Sequence, residues 1–343
     1  MIGKDLLLGY DIAFIDLYGV IWSGTHTFPA ALDAMQRLVA ADKKVTILSN
    51  ASTISDEIVK KYDGENLVAG THFTDFISSG DVIRSILAGG RLSFSKCEAP
   101  KRYFLWGTEN GELFAGSNFE RTLDLREADF VYLSIPRFSE GEMEEMEASL
   151  KRYLYVARSY GTARMWDSVS VEPYIPLLKK FLREKKPLLL ANPDKFAICP
   201  VLETSDAQKY VPKAIVKQGL IGETYSAMGG EVCAIGKPFP QIYRHALEKL
   251  AIAWGKSLRS VCRRRIAMVG DTLATDILGA RNATESLGCR VDSILVLTGI
   301  SAEDMERSGV EFSIESMEKF FAKEKIRPTH TMSALDFDGT VYF

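Results

Sequence analysis

Cysteine and histidine are scarce in this 343-residue chain, at five and four residues, and no CxxC pair occurs. Cys97, Cys199, Cys233, Cys262 and Cys289 are widely spaced and odd in number, and His26, His72, His245 and His330 lie far apart. That pattern argues against a zinc site or a disulfide framework. The expectation is five reduced thiols, mostly buried. Long apolar runs are missing as well. The longest, such as LLLA at 188–191 and SILVLTGI at 293–300, are strand-sized and far short of the roughly 18 residues that span a bilayer. The opening MIGKDLLLGYDIAFIDLYGVIW has one lysine, acids within the apolar stretch and no small-residue cleavage site, unlike a signal peptide. A cytoplasmic chain with no membrane partner is expected. Nor is there a basic excess: 42 Lys and Arg stand against 45 Asp and Glu, a net charge of -3. A nucleic-acid partner is therefore not expected.

What is present is ordinary for a globular protein: 46% hydrophobic and 25% charged residues, which excludes a disordered, collagenous or coiled-coil chain. The length suits two domains, or one with a large insertion. DIAFIDLYGVIW (11–22) contains a buried strand, and VTILSN (45–50) a second. A helix beginning at Pro29 lies between them. The β-α-β rhythm returns with EVCAIGKP (231–238), a helix from Pro240, IAMVGD (266–271), a helix over 275–288 and SILVLTG (293–299). Apolar strands alternating with helices predict an α/β fold, a Rossmann-like doubly wound parallel sheet. The middle, 90–228, has its own strands at 102–107, 130–135 and 187–194, with a long charged helix expected over 139–158. It reads as a second α/β domain inserted into a discontinuous core of 1–89 and 229–343.

Ligands in open α/β sheets sit at the carboxyl ends of the strands. Those ends supply Asp16 and Tyr18, then Ser49 and Asn50, then Lys237, then Asp271 with Asp276. Two carboxylates, a lysine and a hydroxyl-amide pair suit a phosphate with Mg²⁺, which takes one or two carboxylates plus phosphate oxygen and water. Each residue has a plainer reading: Asp16 as a turn cap, Lys237 as a solvated charge, Asp271 as a helix N-cap. Their joint appearance in order at four strand ends is what favours a site.

DLYGV (16–20), LSN (48–50), GKP (236–238) and GDTLATD (270–276) resemble the four motifs of the haloacid dehalogenase superfamily. The long insertion after the second motif, with LLLANPD (188–194) inside it and GGEVCAIGKPFPQIY (229–243) after it, is similar to the capped class IIA branch of sugar-phosphate and nitrophenyl-phosphate phosphatases. The resemblance implies a Mg²⁺-dependent phosphatase acting on a small phosphorylated substrate. Asp16 would be the nucleophile, forming an aspartyl-phosphate. Asp16, the Tyr18 carbonyl and Asp271 would hold the metal, supported by Asp276. Ser49, Asn50 and Lys237 would bind the phosphoryl group, and the inserted domain would be a cap that selects substrate. Asn192 and Asp194 could reach that substrate, although Asn-Pro-Asp is first of all a turn sequence. The resemblance also admits a homodimer.

Tyr18 departs from the pattern, because the family's phosphatases carry a second aspartate there that protonates the leaving oxygen. A phenol is a poor acid-base group at neutral pH. Expected activity is therefore slow or restricted to good leaving groups. His26, in the loop after the first strand, is a lesser candidate for the missing proton donor. The alternatives are a catalytically silent phosphate-binding protein and, against the intact Asp271 and Asp276, a dehalogenase-like hydrolase. A DFDGT string at 336–340 resembles the family's first motif with both aspartates, Asp336 and Asp338. Only Val341, Tyr342 and Phe343 follow it, and it comes after Pro328 and a polar stretch, so the expectation is a flexible end, a remnant of a second module or a coincidence without a catalytic role, and a chain cut near 330 is expected to keep its fold.

Overall fold

The computed structural model describes residues 2–95, 97–108, 113–157, 164–202 and 209–343. In chain order its strands are β1 (Ile12–Ile15), β2 (Lys44–Ser49), β3 (Asp75–Ser78), β4 (Arg102–Trp106), β5 (Glu120–Thr122), β6 (Phe130–Leu133), β7 (Leu154–Val156), β8 (Trp166–Ser168), β9 (Leu188–Leu190), β10 (Phe196–Leu202), β11 (Tyr210–Val216), β12 (Val232–Ala234), β13 (Ile266–Gly270), β14 (Val291–Val296) and β15 (His330–Met332). Two compact units result: Met1–Ser49, Ser55–Ser78 and Gly236–Phe343 form the first, Asn50–Ile54 and Ser79–Ile235 the second.

The first unit holds a six-stranded sheet in the order β15-β14-β13-β1-β2-β3, parallel throughout. All four residues of β1 are buried, as the uninterrupted apolar run requires of a central strand covered on both faces. The helix Pro29–Ala40 starts at its proline and buries Ala31, Ala34, Met35 and Leu38. β1 leads to β2 on one side and pairs with β13 on the other, so the strand order reverses between β1 and β13. That switch point is where an open α/β sheet leaves a crevice for ligands.

The second unit is built on a five-stranded parallel sheet, β12-β9-β6-β4-β5, with two antiparallel hairpins, β7-β8 and β10-β11. Its core includes Trp106, Leu133, Trp166, Tyr174, Phe181 and Leu190.

Four expectations are corrected. The 231–238 segment is not a strand of the first sheet: Val232–Ala234 pairs with Leu188–Leu190 in the second. The long helix over 139–158 is instead two short helices, Glu140–Glu145 and Ala148–Lys151, followed by β7. Met146 takes an extended conformation between them. Gly141 and the spacing of Glu140, Glu144 and Glu147 disfavour one continuous helix. Cys262 and Cys289 form a disulfide, with Cα atoms 4.6 Å apart. They are 27 residues apart in sequence, so the fold alone brings them together. The other three cysteines are partly exposed rather than buried.

The chain end is also ordered. β15 forms the edge of the first sheet, and the following residues turn back so that Val341 bridges Met332 antiparallel. Phe337 and Leu335 are buried, and the amides of Gly3 and Lys4 donate to the carbonyls of Gly339 and Phe337. Asp336 Oδ1 accepts from the Asp338 amide at 2.9 Å, an ordinary Asx turn.

Candidate active site

β1 stops at Ile15 because Asp16 follows, its amide donating to the Val269 carbonyl at 2.9 Å. β13 stops at Gly270, and Asp271 follows. The two strands flank the switch point, so their terminal carboxylates share one edge. After Thr272 the chain makes a single wide turn, Leu273–Ile277, in which the Ile277 amide reaches back five residues to the Thr272 carbonyl. Such π-type turns concentrate at functional sites. This one turns Asp276 inward, fully buried, with Oδ2 accepting from the Thr272 amide at 3.1 Å. One oxygen from each of Asp16, Asp271 and Asp276 lies within 4.8 Å of the others.

Lys237 enters the cluster from the loop after β12. Its side chain is 1% exposed, and Nζ lies 2.6 Å from Asp16 Oδ1 and 2.7 Å from Asp276 Oδ1. The second contact is an ion pair without hydrogen-bond alignment, for Asp276 Oδ1 has no hydrogen-bonded partner among the described residues. Asp271 Oδ2 accepts from the Ile300 amide at 2.7 Å, and Oδ1 from Thr272 Oγ1 at 3.1 Å. Asp271 thus caps the helix Ile300–Arg307, not the helix that follows it in sequence.

Glycines make room for this packing. Gly19, at φ +79°, brings its backbone so close that a Cβ would sit 2.3 Å from Asp271 Oδ2, and a Cβ at Gly299 would sit 2.0 Å from it. Thr298 Oγ1 donates to the Gly19 carbonyl, which ties the loop after β14 to DLYGV.

The charges are strained without a counter-ion. Burial pushes Asp16 well above the usual carboxylate range; Lys237 opposes the shift, and Asp276 and Asp271 reinforce it. Burial, with Asp276 beside it, raises Asp271 to about 7. Burial would lower Lys237, but Asp16 and Asp276 outweigh it and hold the ammonium charged. Fully ionised, the three carboxylates would leave two negative charges in excess over the one ammonium. The donor set is all oxygen, the choice of a hard divalent cation such as Mg²⁺, and Asp276 Oδ1 is a buried oxygen lacking a hydrogen-bond donor. The residues fit such an ion.

The remaining sequence candidates fall around this centre or in the second unit. Ser49 ends β2, beside β1, and is buried. Tyr18 is 41% exposed, and its hydroxyl accepts from Tyr62 at 3.1 Å. Tyr62 packs edge-on against Trp22. Sequence reading missed Tyr62, which is separated from DLYGV by a helix and a strand. His26 Nδ1 is held within its own loop by Ser23 at 3.0 Å and Thr25 at 3.1 Å. In the second unit, Asn50 Nδ2 donates to Asp194 Oδ1 at 2.8 Å, and the Asp194 amide donates to Asn192 Oδ1 at 2.9 Å, so the Asn-Pro-Asp turn forms and one of its carboxylate oxygens engages Asn50.

Two family models match the chain, haloacid dehalogenase-like hydrolase over residues 13–112 and HAD-hydrolase-like over 234–319. Between them they contain all four strand-end motifs. The chain belongs to the haloacid dehalogenase superfamily. Within this superfamily it falls in the class IIA branch. It is 24% identical over 318 residues to a 4-nitrophenylphosphatase from Schizosaccharomyces pombe, covering 88% of each chain. Among solved structures, a haloacid dehalogenase-like hydrolase from Brucella suis superposes with a TM-score of 0.65 at 24% identity, covering 96% of this chain and 97% of that one. A glycerol phosphate phosphatase from Mycobacterium tuberculosis, solved with magnesium, gives 0.58 at 19% identity over 97% and 78%. For this haloacid dehalogenase-like chain, those likenesses bear on the fold; its chemistry rests on the residues just described.

Proposed function

We propose that the protein is a Mg²⁺-dependent phosphatase of small phosphorylated metabolites that works through an aspartyl-phosphate on Asp16. The observation that carries this reading is the set Asp16, Asp271, Asp276 and Lys237 at the switch point, in which Asp16 alone keeps a partly exposed side chain. The phosphatase relatives and the magnesium bound by a structural neighbour support it.

In this reading Lys237 fixes Asp16 Oδ1, which leaves Oδ2 to attack phosphorus. The bond from Asp16 to phosphorus forms as the ester oxygen departs with its electron pair, and water then returns phosphate and the free carboxylate. Ser49 and Asn50 orient the phosphoryl oxygens, while Lys237 neutralises their charge. Asp16, Asp271 and the Tyr18 carbonyl would hold Mg²⁺, with Asp276 behind them. When bound, the ion would supply neutralisation of the phosphoryl charge. Asp271 and Asp276 weigh against a dehalogenase, which has no use for a metal set. The second unit acts as the cap, with Asn192 and Asp194 supporting substrate and Asn50. A silent phosphate-binding protein is the second reading, favoured by one feature, Tyr18 in the place of a proton-donating aspartate.

The test is hydrolysis of nitrophenyl phosphate with Mg²⁺ and again after chelation. Turnover is expected only with the ion, and Asp16→Asn is expected to reduce it at least a thousandfold, on the order seen when a nucleophile is removed. Phosphate binding without turnover on any ester would favour the silent reading.

A further inference from the structure

The loop after β14 touches more of the carboxylate cluster than its place in the sheet requires. β13 separates β14 from β1, yet residues 298–301 reach the turns that follow both β1 and β13. Thr298 Oγ1 donates to the Gly19 carbonyl, one peptide beyond the Tyr18 carbonyl. The Ile300 amide donates to Asp271 Oδ2 at 2.7 Å, and the Ser301 amide to the Asp271 carbonyl at 3.1 Å. Ser301 is buried, and its Oγ accepts from the Leu273 amide at 3.0 Å, where the wide turn that carries Asp276 begins. All of these residues lie in the first unit.

These bonds fix the spacing between the turns and not the turns themselves. The turn after β1 closes on itself, the Trp22 amide donating to the Leu17 carbonyl and the Gly19 amide to the Trp22 carbonyl, both at 2.8 Å. The wide turn does so as well, from the Ile277 amide to the Thr272 carbonyl. The paired register of β1 and β13 ends at Ile15 and Val269, before Asp16 and Asp271. Beyond that point the 298–301 loop bridges the two turns. It has little slack. The backbones of Gly19 and Gly299 both press on Asp271 Oδ2, and the Leu297 amide donates to the Met332 carbonyl of β15 at 3.1 Å. Mg²⁺ demands near-octahedral oxygen ligands at about 2.0–2.1 Å, whereas Ca²⁺ accepts irregular sets at about 2.3–2.6 Å. Ligands held at a fixed spacing can favour the smaller ion, and ligands free to drift give up that advantage.

We propose that the 298–301 loop sets the metal preference of the site: Thr298 and Ser301 are positioning residues that hold the turns bearing Tyr18, Asp271 and Asp276 at the spacing Mg²⁺ needs and Ca²⁺ does not. This rests on the metal-binding part of the phosphatase reading and adds what discriminates between ions. Neither hydroxyl is a ligand. Each acts through a backbone group, Thr298 on the Gly19 carbonyl and Ser301 on the Leu273 amide. Partners of this outer kind are worth about ten- to hundredfold in metal affinity.

The test needs no turnover. The melting temperature of the full chain is followed at pH 8 as Mg²⁺ or Ca²⁺ is added to chelated protein, and its rise with concentration gives each affinity. Thr298→Val keeps the shape and drops the hydroxyl. It is expected to weaken Mg²⁺ about ten- to hundredfold and Ca²⁺ by no more than about threefold, which moves the ratio of the two affinities toward Ca²⁺. Thr298→Ser should keep the wild-type ratio. Ser301→Ala should move it in the same direction as Thr298→Val, and it decides the matter if Thr298→Val does not fold. A merely structural loop would lower the melting temperature of the chelated variants and leave the ratio where it was. An unchanged ratio in folded Thr298→Val or Ser301→Ala therefore overturns the proposal, as does a Thr298→Ser protein whose ratio moves like that of Thr298→Val. Absence of nitrophenyl phosphate hydrolysis would count against the phosphatase reading alone, since the affinity ratio is read separately.

Discussion

Asp16, Asp271, Asp276 and Lys237 were legible because each follows or closely trails an apolar strand, and strand ends in parallel sheets converge. Tyr62 was not legible, since what matters about it is a partner that only the fold supplies, Tyr18. The disulfide was hidden for the same reason: Cys262 and Cys289 sit at the two ends of a 27-residue excursion. In the proposed reaction the Tyr18 side chain would set the range of substrates. A phenol gives little help to a departing alkoxide, so wild-type turnover should fall steeply as the leaving group becomes more basic. Tyr18→Asp is expected to speed alkyl esters about 10²–10⁴-fold relative to aryl esters, the usual worth of general acid help. The measurement is kcat/KM across a series of aryl and alkyl phosphates for both proteins. A flat wild-type series would mean that some other group supplies the proton.

At the level of elements, the strong apolar runs came through and the short or shared ones did not. β1, β2, β13 and β14 are buried along most of their length, so their period is unmistakable. β12 is three residues long and partly exposed, and nothing in VCA says which of two sheets it joins. The chain end misled in the opposite direction, because a polar stretch after Pro328 resembled a loose terminus. In the fold it covers the edge of the first sheet beyond β15, a device that protects unpaired strand edges. The ring of Phe337 is buried beneath the guanidinium of Arg37, 5.5 Å from its centroid. Phe337→Ala should therefore cost about 3–5 kcal/mol in urea unfolding. Removing 331–343 should cost more, by stripping β15 and the acceptors of Gly3 and Lys4. Asp336→Asn should leave nitrophenyl phosphate turnover within a factor of two, because its carboxylate serves only the turn. Loss of turnover in that variant, with stability unchanged, would return the DFDGT string to the chemistry.

Across the whole molecule the net charge is only -3, yet three carboxyl groups and one ammonium are concentrated at one point. The stability of the chain should therefore depend on pH in a way that the ion removes. Asp271 rises from its ordinary 3.8 to about 7 on folding, and Asp16 moves in the same direction. A carboxyl that holds its proton more tightly when folded favours folding at low pH. Between about pH 4 and pH 7 the native state binds more protons than the unfolded state, so stability falls as pH rises through that window. Above it Asp271 is charged and buried beside Asp276, and that is the state a divalent cation binds. Bound Mg²⁺ stabilises the native state by mass action, and more so where no proton has to be displaced. The expected result is that the melting temperature of chelated protein declines from pH 5 to pH 8, whereas Mg²⁺ adds little at pH 5 and several degrees at pH 8. Asp271→Asn should flatten both trends, because it removes one charge and the proton that titrates with it. A chelated protein whose melting point is level across this range, or a Mg²⁺ increment as large at pH 5 as at pH 8, would show that the cluster does not carry the linkage.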